Sequence, residues 1–122
     1  MAYQVQFRSY NRAKSKYNNR TKVYRGHSYD SIKEAQYAED LDWRVKAEDI
    51  KNWERQVKIP LDVKGRHICN YYVDFKITHN DGSIEFVEVK GFQTEIWRLK
   101  WLLFEALIDE IEPGAVLTVY RV

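Results

Sequence analysis

Apolar and polar residues alternate along two neighbouring segments of the chain, residues 67–78 and 83–90. The segments flank Asn80, Asp81 and Gly82, residue types that favour a tight turn, so the pattern predicts a β-hairpin. A three-residue loop with Gly82 in the left-handed conformation keeps the apolar residues on one face. Together with Glu85, that face is formed by Val73, Phe75, Ile77, Val87 and Val89.

The same register brings charged residues together on the opposite face of the hairpin. Asp74 is expected to lie across from Glu88, and Lys90 follows Glu88 at the same-face spacing of a strand. A two-residue loop would instead place Val87 opposite Asp74 and mix apolar with charged residues. Two carboxylates and a lysine are also common on a solvated strand face, so these residues alone do not establish a site.

A helix is predicted from residue 31 to about residue 47. Residues 31–34 match a capping box, and Ala38, Leu41 and Val45 recur at helical spacing. Glu34 belongs to the N-terminal end of this apolar stripe. We therefore expect its side chain to face the protein body, although closing the capping box is an equally simple role.

A second helix is predicted after Thr94, ending near residue 110. It is apolar on more than the one side that packing on a sheet requires. The additional apolar side of this helix, together with Trp43, Trp97 and Trp101, indicates that a second subunit packs on it. We therefore expect a homodimer.

Two further strands complete the order of elements. Residues 53–59 alternate, with Trp53, Val57 and Ile59 on one side; Pro60 is expected to end this strand, and residues 61–66 to form a polar loop. Residues 115–122 form a last strand, which a right-handed crossover places parallel in the sheet. Helix, three strands, helix and strand predict an α/β fold with a mixed central sheet flanked by helices.

The first part of the chain is strongly basic. No acidic residue precedes Asp30, and aromatic residues are interspersed among the cations. Basic residues with aromatic rings are typical of a nucleic-acid contact, and a merely solubilising tail is the alternative. The candidate DNA-binding residues are Arg8, Arg12, Lys14, Lys16, Arg20, Lys22 and Arg25.

The length of 122 residues suits a single folded domain. We expect residues 1–22 to be a basic arm, mobile without a ligand, and residues 23–122 to form the domain, with residues 23–29 as a short strand or extended lead-in. The single cysteine, Cys69, excludes an internal disulfide and suits a reducing cytoplasm. No apolar run approaches the ~20 residues that span a bilayer, so we expect no membrane partner.

The acidic residues have the chemistry of a site for a hard cation. Asp74, Glu88 and Glu34 could supply carboxylate oxygens to Mg²⁺ or Mn²⁺, and the backbone carbonyl of Val89 could add a ligand. A bound ion would polarise a phosphate oxygen and lower the pKa of a water nucleophile. Lys90 could then orient that water or neutralise charge in the transition state.

These motifs resemble those of a known superfamily. Asp74, followed by Glu88, Val89 and Lys90 at the end of the next strand, is similar to the signature of the PD-(D/E)XK nucleases, whose restriction-endonuclease-like core has the order αβββαβ. Residues 27–35, Gln56 and residues 89–94 resemble small phage proteins of this superfamily, related to endonuclease I-type Holliday junction resolvases and transposon-end nicking endonucleases. Residue 73 is a valine here and not the proline of the superfamily's name.

The resemblance implies a role for each matching residue. Asp74 and Glu88 would be metal ligands, Lys90 the catalytic lysine and Glu34 a further acidic ligand. Two more residues, Gln56 and Lys100, are possible members of the active site.

The implied activity is that of a Mg²⁺-dependent DNA endonuclease without a small-molecule cofactor. Branched DNA, such as a Holliday junction, would be its substrate, and the protein would be a phage protein that acts in the cytoplasm of the host cell. Two other hypotheses stay open. One is a non-catalytic DNA-binding module of the same fold. The other is an interaction protein in which Asp74, Glu88 and Lys90 form surface salt bridges.

Overall fold

The computed structural model describes residues 4–9, 22–24, 27–29 and 32–121, which form seven strands and two helices. The helices are α1 (Ile32–Lys46) and α2 (Glu95–Ile111). The strands are β1 (Gln4–Ser9), β2 (Lys22–Tyr24), β3 (His27–Tyr29), β4 (Asn52–Val63), β5 (Arg66–Thr78), β6 (Ile84–Lys90) and β7 (Val116–Arg121). The order from α1 to β7 is the predicted order.

Five of the strands form one mixed sheet with the order β1-β7-β6-β5-β4. Strand β5 is antiparallel to both of its neighbours, β4 and β6, whereas β6, β7 and β1 run parallel. The parallel pairing of β6 with β7 confirms the predicted crossover through α2. Strands β2 and β3 pair antiparallel in a separate ribbon, which replaces the single lead-in strand expected for residues 23–29.

The two faces of the sheet are each covered by a helix, which makes two hydrophobic cores. On one face α1 contributes Ala35, Ala38 and Leu41, which pack with Phe75, Ile77, Val87 and Val89. On the other face α2 contributes Trp101, Phe104 and Ile108, which pack with Tyr71, Val73, Phe86, Leu117 and Val119. Because neighbouring residues of a strand point to opposite faces, β6 and β7 each contribute side chains to both cores.

The central hairpin has the predicted register. Phe75 pairs with Val87 and Ile77 with Glu85, while Gly82 has the left-handed φ of +86°. The sequence predicted this turn because glycine adopts a positive φ without steric cost.

The hairpin of β4 and β5 is longer than predicted. Strand β4 continues through Pro60, which pairs with Asn70, and ends at Val63, so the strand end at Pro60 and the loop over residues 61–66 are wrong. Strand β4 lies at the edge of the sheet, where proline is tolerated. Lys64 and Gly65, both with positive φ, then form a tight two-residue connection.

Residues near the N-terminus belong to the central sheet. Strand β1 pairs parallel with β7, with Val5 beside Leu117 and Phe7 beside Val119. The expectation of a mobile arm is therefore wrong for Gln4–Ser9. The alternation of Val5 and Phe7 with polar residues was a weak local signal, and the partner strand lies at the other end of the chain. Residues 10–21 lie outside the described residues.

Strands β4 and β5 each pack in one hydrophobic core along part of their length and in the other core along the rest. The change occurs at Gln56 in β4 and at Asp74 in β5. Trp53 and Phe75 pack in the core under α1, whereas Val57 and Val73 pack in the core under α2. The single apolar side predicted for residues 53–59 is therefore wrong, and so is the prediction that Val73 shares a face with Phe75 and Ile77. The change coincides with Gln56, whose φ of +47° is unusual for a residue other than glycine.

Candidate active site

The predicted acidic pair lies where β5 and β6 stop pairing through their backbones. The last backbone pair is Phe75 with Val87, and beyond it side chains bridge the strands. The backbone N–H of Asp74 donates to Glu88 Oε1 at 3.0 Å, and the backbone N–H of Val89 donates to Asp74 Oδ2 at 3.0 Å. Each carboxylate thus accepts a hydrogen bond that a backbone carbonyl of the neighbouring strand would accept if the pairing continued. These two hydrogen bonds hold the carboxylates side by side.

Gln56 joins this pair to the first helix. Its side-chain Nε2 donates to Asp74 Oδ1 at 3.1 Å and to Glu34 Oε1 at 3.2 Å. Glu34 is 5 % exposed, so it faces the protein body as its place in the apolar stripe predicted. Its alternative role in a capping box involves Ser31, which lies outside the described residues. Glu34, Gln56 and Asp74 are therefore brought together from α1, β4 and β5.

The second helix holds the other carboxylate. Trp97 Nε1 donates to Glu88 Oε2 at 3.2 Å. The orientation of Trp97 follows from the start of α2, because the Thr94 hydroxyl accepts from the Trp97 backbone N–H at 3.1 Å. Trp97 was not among the residues that the sequence assigned to the site. The cap at Thr94 was the available signal, since it sets which residues of the first turn face the end of β6.

Tyr71 is a second neighbour of Glu88 that the sequence did not assign to the site. Burial raises the pKa of its hydroxyl, and the charge of Glu88 raises it further. Tyr71 precedes Asp74 by three residues on β5, and alternation alone would place the two on opposite faces of the sheet. The change of core at Asp74 removes that alternation, so no local pattern could have indicated that Tyr71 lies near Glu88.

Lys90 lies at the end of β6, with its ammonium group 5.1 Å from the centre of the Trp97 ring. Its positive charge lowers the pKa of both Asp74 and Glu88, though less than burial raises them. The same indole therefore touches both the carboxylate and the lysine of the Glu88-Val89-Lys90 segment.

Both carboxyl groups have raised pKa values. For Asp74 the cause is burial, which outweighs the hydrogen bond from Val89. For Glu88, which is 2 % exposed, burial is again the largest cause and repulsion by Asp74 adds to it. The pair therefore holds a proton more strongly than exposed carboxylates do. A buried Glu88 also excludes the hypothesis of surface salt bridges.

The donors at this site are carboxylate oxygens, which suit Mg²⁺ or Mn²⁺. Asp74 and Glu88 are adjacent, while the Gln56 amide stands between Asp74 and Glu34. Within the described part of the chain, no three acidic, histidine or cysteine side chains come together closely enough to ligate one ion directly. Two carboxylates with retained waters fit the coordination habits of Mg²⁺, with Glu34 acting at longer range.

The other candidate site residues singled out in the sequence belong to α2, β1 and β2 or lie outside the described residues. Lys100 lies on α2, one turn beyond Trp97, and is half-buried. Arg8 is exposed on β1 and lines, with Arg44, a polar cavity of about 730 Å³ that includes none of the acidic site residues. Lys22 belongs to β2. The remaining basic candidates lie outside the described residues: Arg12, Lys14, Lys16, Arg20 and Arg25.

The three tryptophans expected at a subunit interface do not form one surface. Trp101 is buried and stacks on Trp97, with ring centres 5.8 Å apart. Trp43 is exposed on α1, on the opposite face of the sheet. The exposed apolar side chains on α2 and just before it form a group that we call the α2 ridge. It consists of Phe92, Ile96, Leu99 and Leu102.

Comparison with models of protein families identifies the family of this chain. The model of the family described as "Protein of unknown function (DUF1064)" matches residues 14–119, which is most of the sequence. The chain belongs to the DUF1064 family. The DUF1064 match contains Glu34, Gln56, Asp74, Glu88 and Lys90, and it starts after β1. No curated protein and no solved structure gives a significant match to the chain.

The two described helices of this DUF1064 protein do not meet the requirements for crossing a bilayer. Across the described residues, neither α1 nor α2 combines the length and the apolar character needed to cross a membrane.

Proposed function

We propose that this DUF1064 protein is a metal-dependent endonuclease that hydrolyses phosphodiester bonds of DNA with Mg²⁺ or Mn²⁺. The proposal rests on one observation above all. The half-buried carboxylate of Asp74 and the buried carboxylate of Glu88 lie side by side in the gap between β5 and β6, next to Lys90. Clustered acids with raised pKa values and a nearby lysine are more often a functional site than a structural one.

Each residue of the site would have a distinct role in the reaction. Asp74 and Glu88 would hold the ion, which when bound would polarise a phosphate oxygen and lower the pKa of a water molecule. Lys90 would place a positive charge beside the phosphate and orient the attacking water. Gln56 and Trp97 would act as positioning residues, because each donates a hydrogen bond to one of the two carboxylates.

A protein that only binds DNA would gain nothing from this arrangement. The adjacent carboxylates of Asp74 and Glu88 repel each other, and they also repel the phosphates of the ligand. A divalent cation relieves both repulsions at once. The acidic pair therefore favours the enzyme over the non-catalytic binding module.

Cleavage assays with defined DNA substrates test the proposal. Four-way junction, forked, duplex and single-stranded DNA are incubated with Mg²⁺, with Mn²⁺ or with a chelator. We expect metal-dependent cleavage, with branched DNA cut fastest. Asp74→Asn and Glu88→Gln should each lower the rate by about 100-fold or more, which is the upper range for disturbing a metal site from its outer shell.

Glu85→Gln is the matched control for Glu88→Gln. Glu85 lies on the same strand and is also largely buried, but it accepts a hydrogen bond from Thr118 Oγ1 at 2.6 Å and faces away from the acidic pair. This variant should cut like the wild type. Wild-type protein that cuts none of the substrates would overturn the proposal. Salt-sensitive DNA affinity without cleavage would then identify the binding module.

We also propose a homodimer, formed through the α2 ridge. Ile96 is 70 % exposed and Leu99 68 % exposed, which is unusual for large apolar side chains that lie one turn apart on the same helix. Two copies would supply the two active sites that a paired cut in branched DNA requires. A second copy of the chain is therefore the occupant that fits the proposed reaction.

The mass of the protein in solution tests the dimer. We expect a dimer at micromolar concentration for the wild type and a monomer for Leu99→Lys. Ile68→Lys is the control, because Ile68 is also an exposed apolar residue but lies on β5. A monomeric wild type, or equal dissociation of both variants, would contradict the dimer.

A further inference from the structure

A cavity of about 170 Å³ shares one wall with the acidic pair. That wall is Trp97, which donates to Glu88 and also lines the cavity. The cavity is also lined by Phe7, Arg98, Trp101, Glu105 and Arg121, and by Leu102 at the edge of the α2 ridge. The cavity therefore joins β1, the end of β7 and one side of α2 beside the proposed active site.

The size and walls of the cavity suit one planar aromatic ring. Apolar cavities of roughly 150 Å³ accept a single benzene molecule. Trp97 and Trp101 stack nearly parallel here, at an angle of 16°, and Phe7 is 56 % exposed with the Arg121 guanidinium 5.0 Å from its ring centre. Aromatic surfaces of this kind stack on nucleobases.

Two charged side chains of the cavity, Glu105 and Arg98, lack side-chain partners among the described residues. Among the described residues, the Glu105 carboxylate makes no hydrogen bond or ion pair, and burial raises its pKa with no cation opposing the shift. The guanidinium of Arg98 likewise has no acceptor in the described part of the chain. A ligand that both donates to a carboxylate and carries negative charge would satisfy these groups together.

We propose that this cavity binds one unpaired cytosine of the DNA substrate, next to the phosphate that is cut. Its ring stacks on the aromatic wall, its exocyclic amino group donates to Glu105, and Arg98 and Arg121 contact the adjoining phosphates. Thymine presents carbonyl oxygens on both sides of its ring N–H, which the carboxylate repels. A purine is larger than the single ring that the cavity accepts. The inference rests on the proposed nuclease function and names the base beside its cleavage site.

Such a pocket supplies a physical reason for a preference for branched DNA. A base in a continuous duplex must be unpaired and unstacked before it can enter, which costs free energy. A nucleotide at a branch point has already lost part of its stacking. The cavity therefore selects DNA that offers a free base beside the scissile phosphate.

A binding experiment tests the inference without cleavage. Forked DNA carrying one unpaired cytosine, thymine or abasic nucleotide at the branch is titrated into the full-length protein in a metal-free buffer. Tryptophan fluorescence reports contact with Trp97 and Trp101. We expect the cytosine fork to bind about 10-fold more tightly than the other two, since base stacking and a specific amino contact are each large enough for that difference.

Two variants separate the contributions of the cavity. Glu105→Gln should bring the affinities for cytosine and thymine within about 2-fold of each other, because an amide accepts and donates equally well. Glu110→Gln is its control, on an exposed position of the same helix, and should keep the preference. Phe7→Ala should weaken both base-containing forks toward the abasic fork. Circular dichroism verifies that each variant is folded.

The outcomes distinguish this inference from the proposed function. Equal affinity for the three forks would overturn the cytosine pocket, whether or not the protein cuts DNA. A cytosine preference that disappears in Glu105→Gln would support the pocket even if no substrate were cleaved, in which case the nuclease proposal alone fails. Loss of a dimer in Glu105→Gln would show that a second copy fills the cavity, and would also overturn the pocket.

Discussion

Gln56 combines an unusual backbone conformation with a central place in the candidate site. Its φ of +47° lies in the left-handed region, where a side chain with a β-carbon costs about 1 kcal/mol or more. The same residue donates to Asp74 and Glu34 and lies where the hairpin changes cores. Strain of this kind persists at functional sites when the surroundings hold the residue in place.

Substitution of Gln56 can separate the strain from the chemistry. Gln56→Ala and Gln56→Gly both remove the amide, so both should lose activity by at least about 10-fold, as for other groups that orient metal ligands. Glycine adopts the positive φ freely, so Gln56→Gly should be more stable than Gln56→Ala by about 1 kcal/mol. Urea unfolding of both variants measures this difference. Equal stabilities would show that the φ of residue 56 carries no strain.

Glu105 predicts a pH dependence of stability. Burial raises its pKa in the folded protein, so the folded state holds the proton to a higher pH than the unfolded state does. Below the ordinary pKa of glutamate, Glu105→Gln should leave the free energy of unfolding unchanged. As the pH rises through the raised pKa, the wild type loses stability and the variant becomes the more stable protein. Because Glu105 remains partly solvated, the gain should be less than about 1 kcal/mol.

Unfolding at pH 4 and pH 8 measures this effect. Glu110→Gln again serves as the control and should show no such crossover. A variant that is less stable than the wild type at pH 8 would mean that Glu105 makes a stabilising contact.

At the scale of elements, the start of α2 links the sheet to the site. Thr94 caps the helix, and the cap orients the first turn so that Trp97 reaches Glu88. The strand before it ends at Lys90, only four residues earlier. A short connection between β6 and α2 therefore places the lysine, the indole and the carboxylate within one small region.

Removal of the cap should affect both stability and activity. Thr94→Ala should lower the free energy of unfolding by about 1 kcal/mol, the usual value of an N-cap. Activity should also fall, because the first turn of α2 no longer holds Trp97 firmly against Glu88. Thr94→Ser keeps a capping hydroxyl and should retain both properties. Thermal unfolding and cleavage rates measure the two effects, and a Thr94→Ala variant with unchanged stability would contradict the cap.

At the scale of the whole molecule, the helices that cover both faces of the sheet shield the acidic pair from solvent. The two cores meet at Gln56 and Asp74, and the carboxylates lie in the break of the sheet between them. The surrounding protein thus raises the pKa of both acids at the place where the strands stop pairing. Folding therefore creates a negative site that a divalent ion can stabilise.

Divalent ions should accordingly stabilise the folded protein. An ion that binds only the folded state raises the free energy of unfolding by about 2.7 kcal/mol at 100 times its Kd. We expect Mn²⁺ or Ca²⁺ to raise the Tm of the wild type by several degrees, and to have little effect on Asp74→Asn. Glu85→Gln should respond like the wild type. An unchanged Tm of the wild type at millimolar Mn²⁺ would argue against a metal site.

The sequence by itself determined the elements from α1 to β7 and the register of the central hairpin. These features depend on local physics: alternation of apolar residues, a glycine with positive φ, and the cap at Thr94. The pairing of Asp74 with Glu88 followed directly from that register, because strand periodicity sets which side chains lie opposite each other. Glu34 could be assigned to the site from the direction of its helix face.

Only the tertiary structure decided which further residues surround the acids. Strand β1 joins the sheet through a partner at the other end of the chain, and Tyr71 reaches Glu88 because the hairpin changes cores at Gln56. The first event leaves only a weak alternation in its own segment, and the second leaves no periodic signal. Local sequence specifies the direction of side chains along one element, whereas contacts between elements depend on how the whole sheet bends and packs.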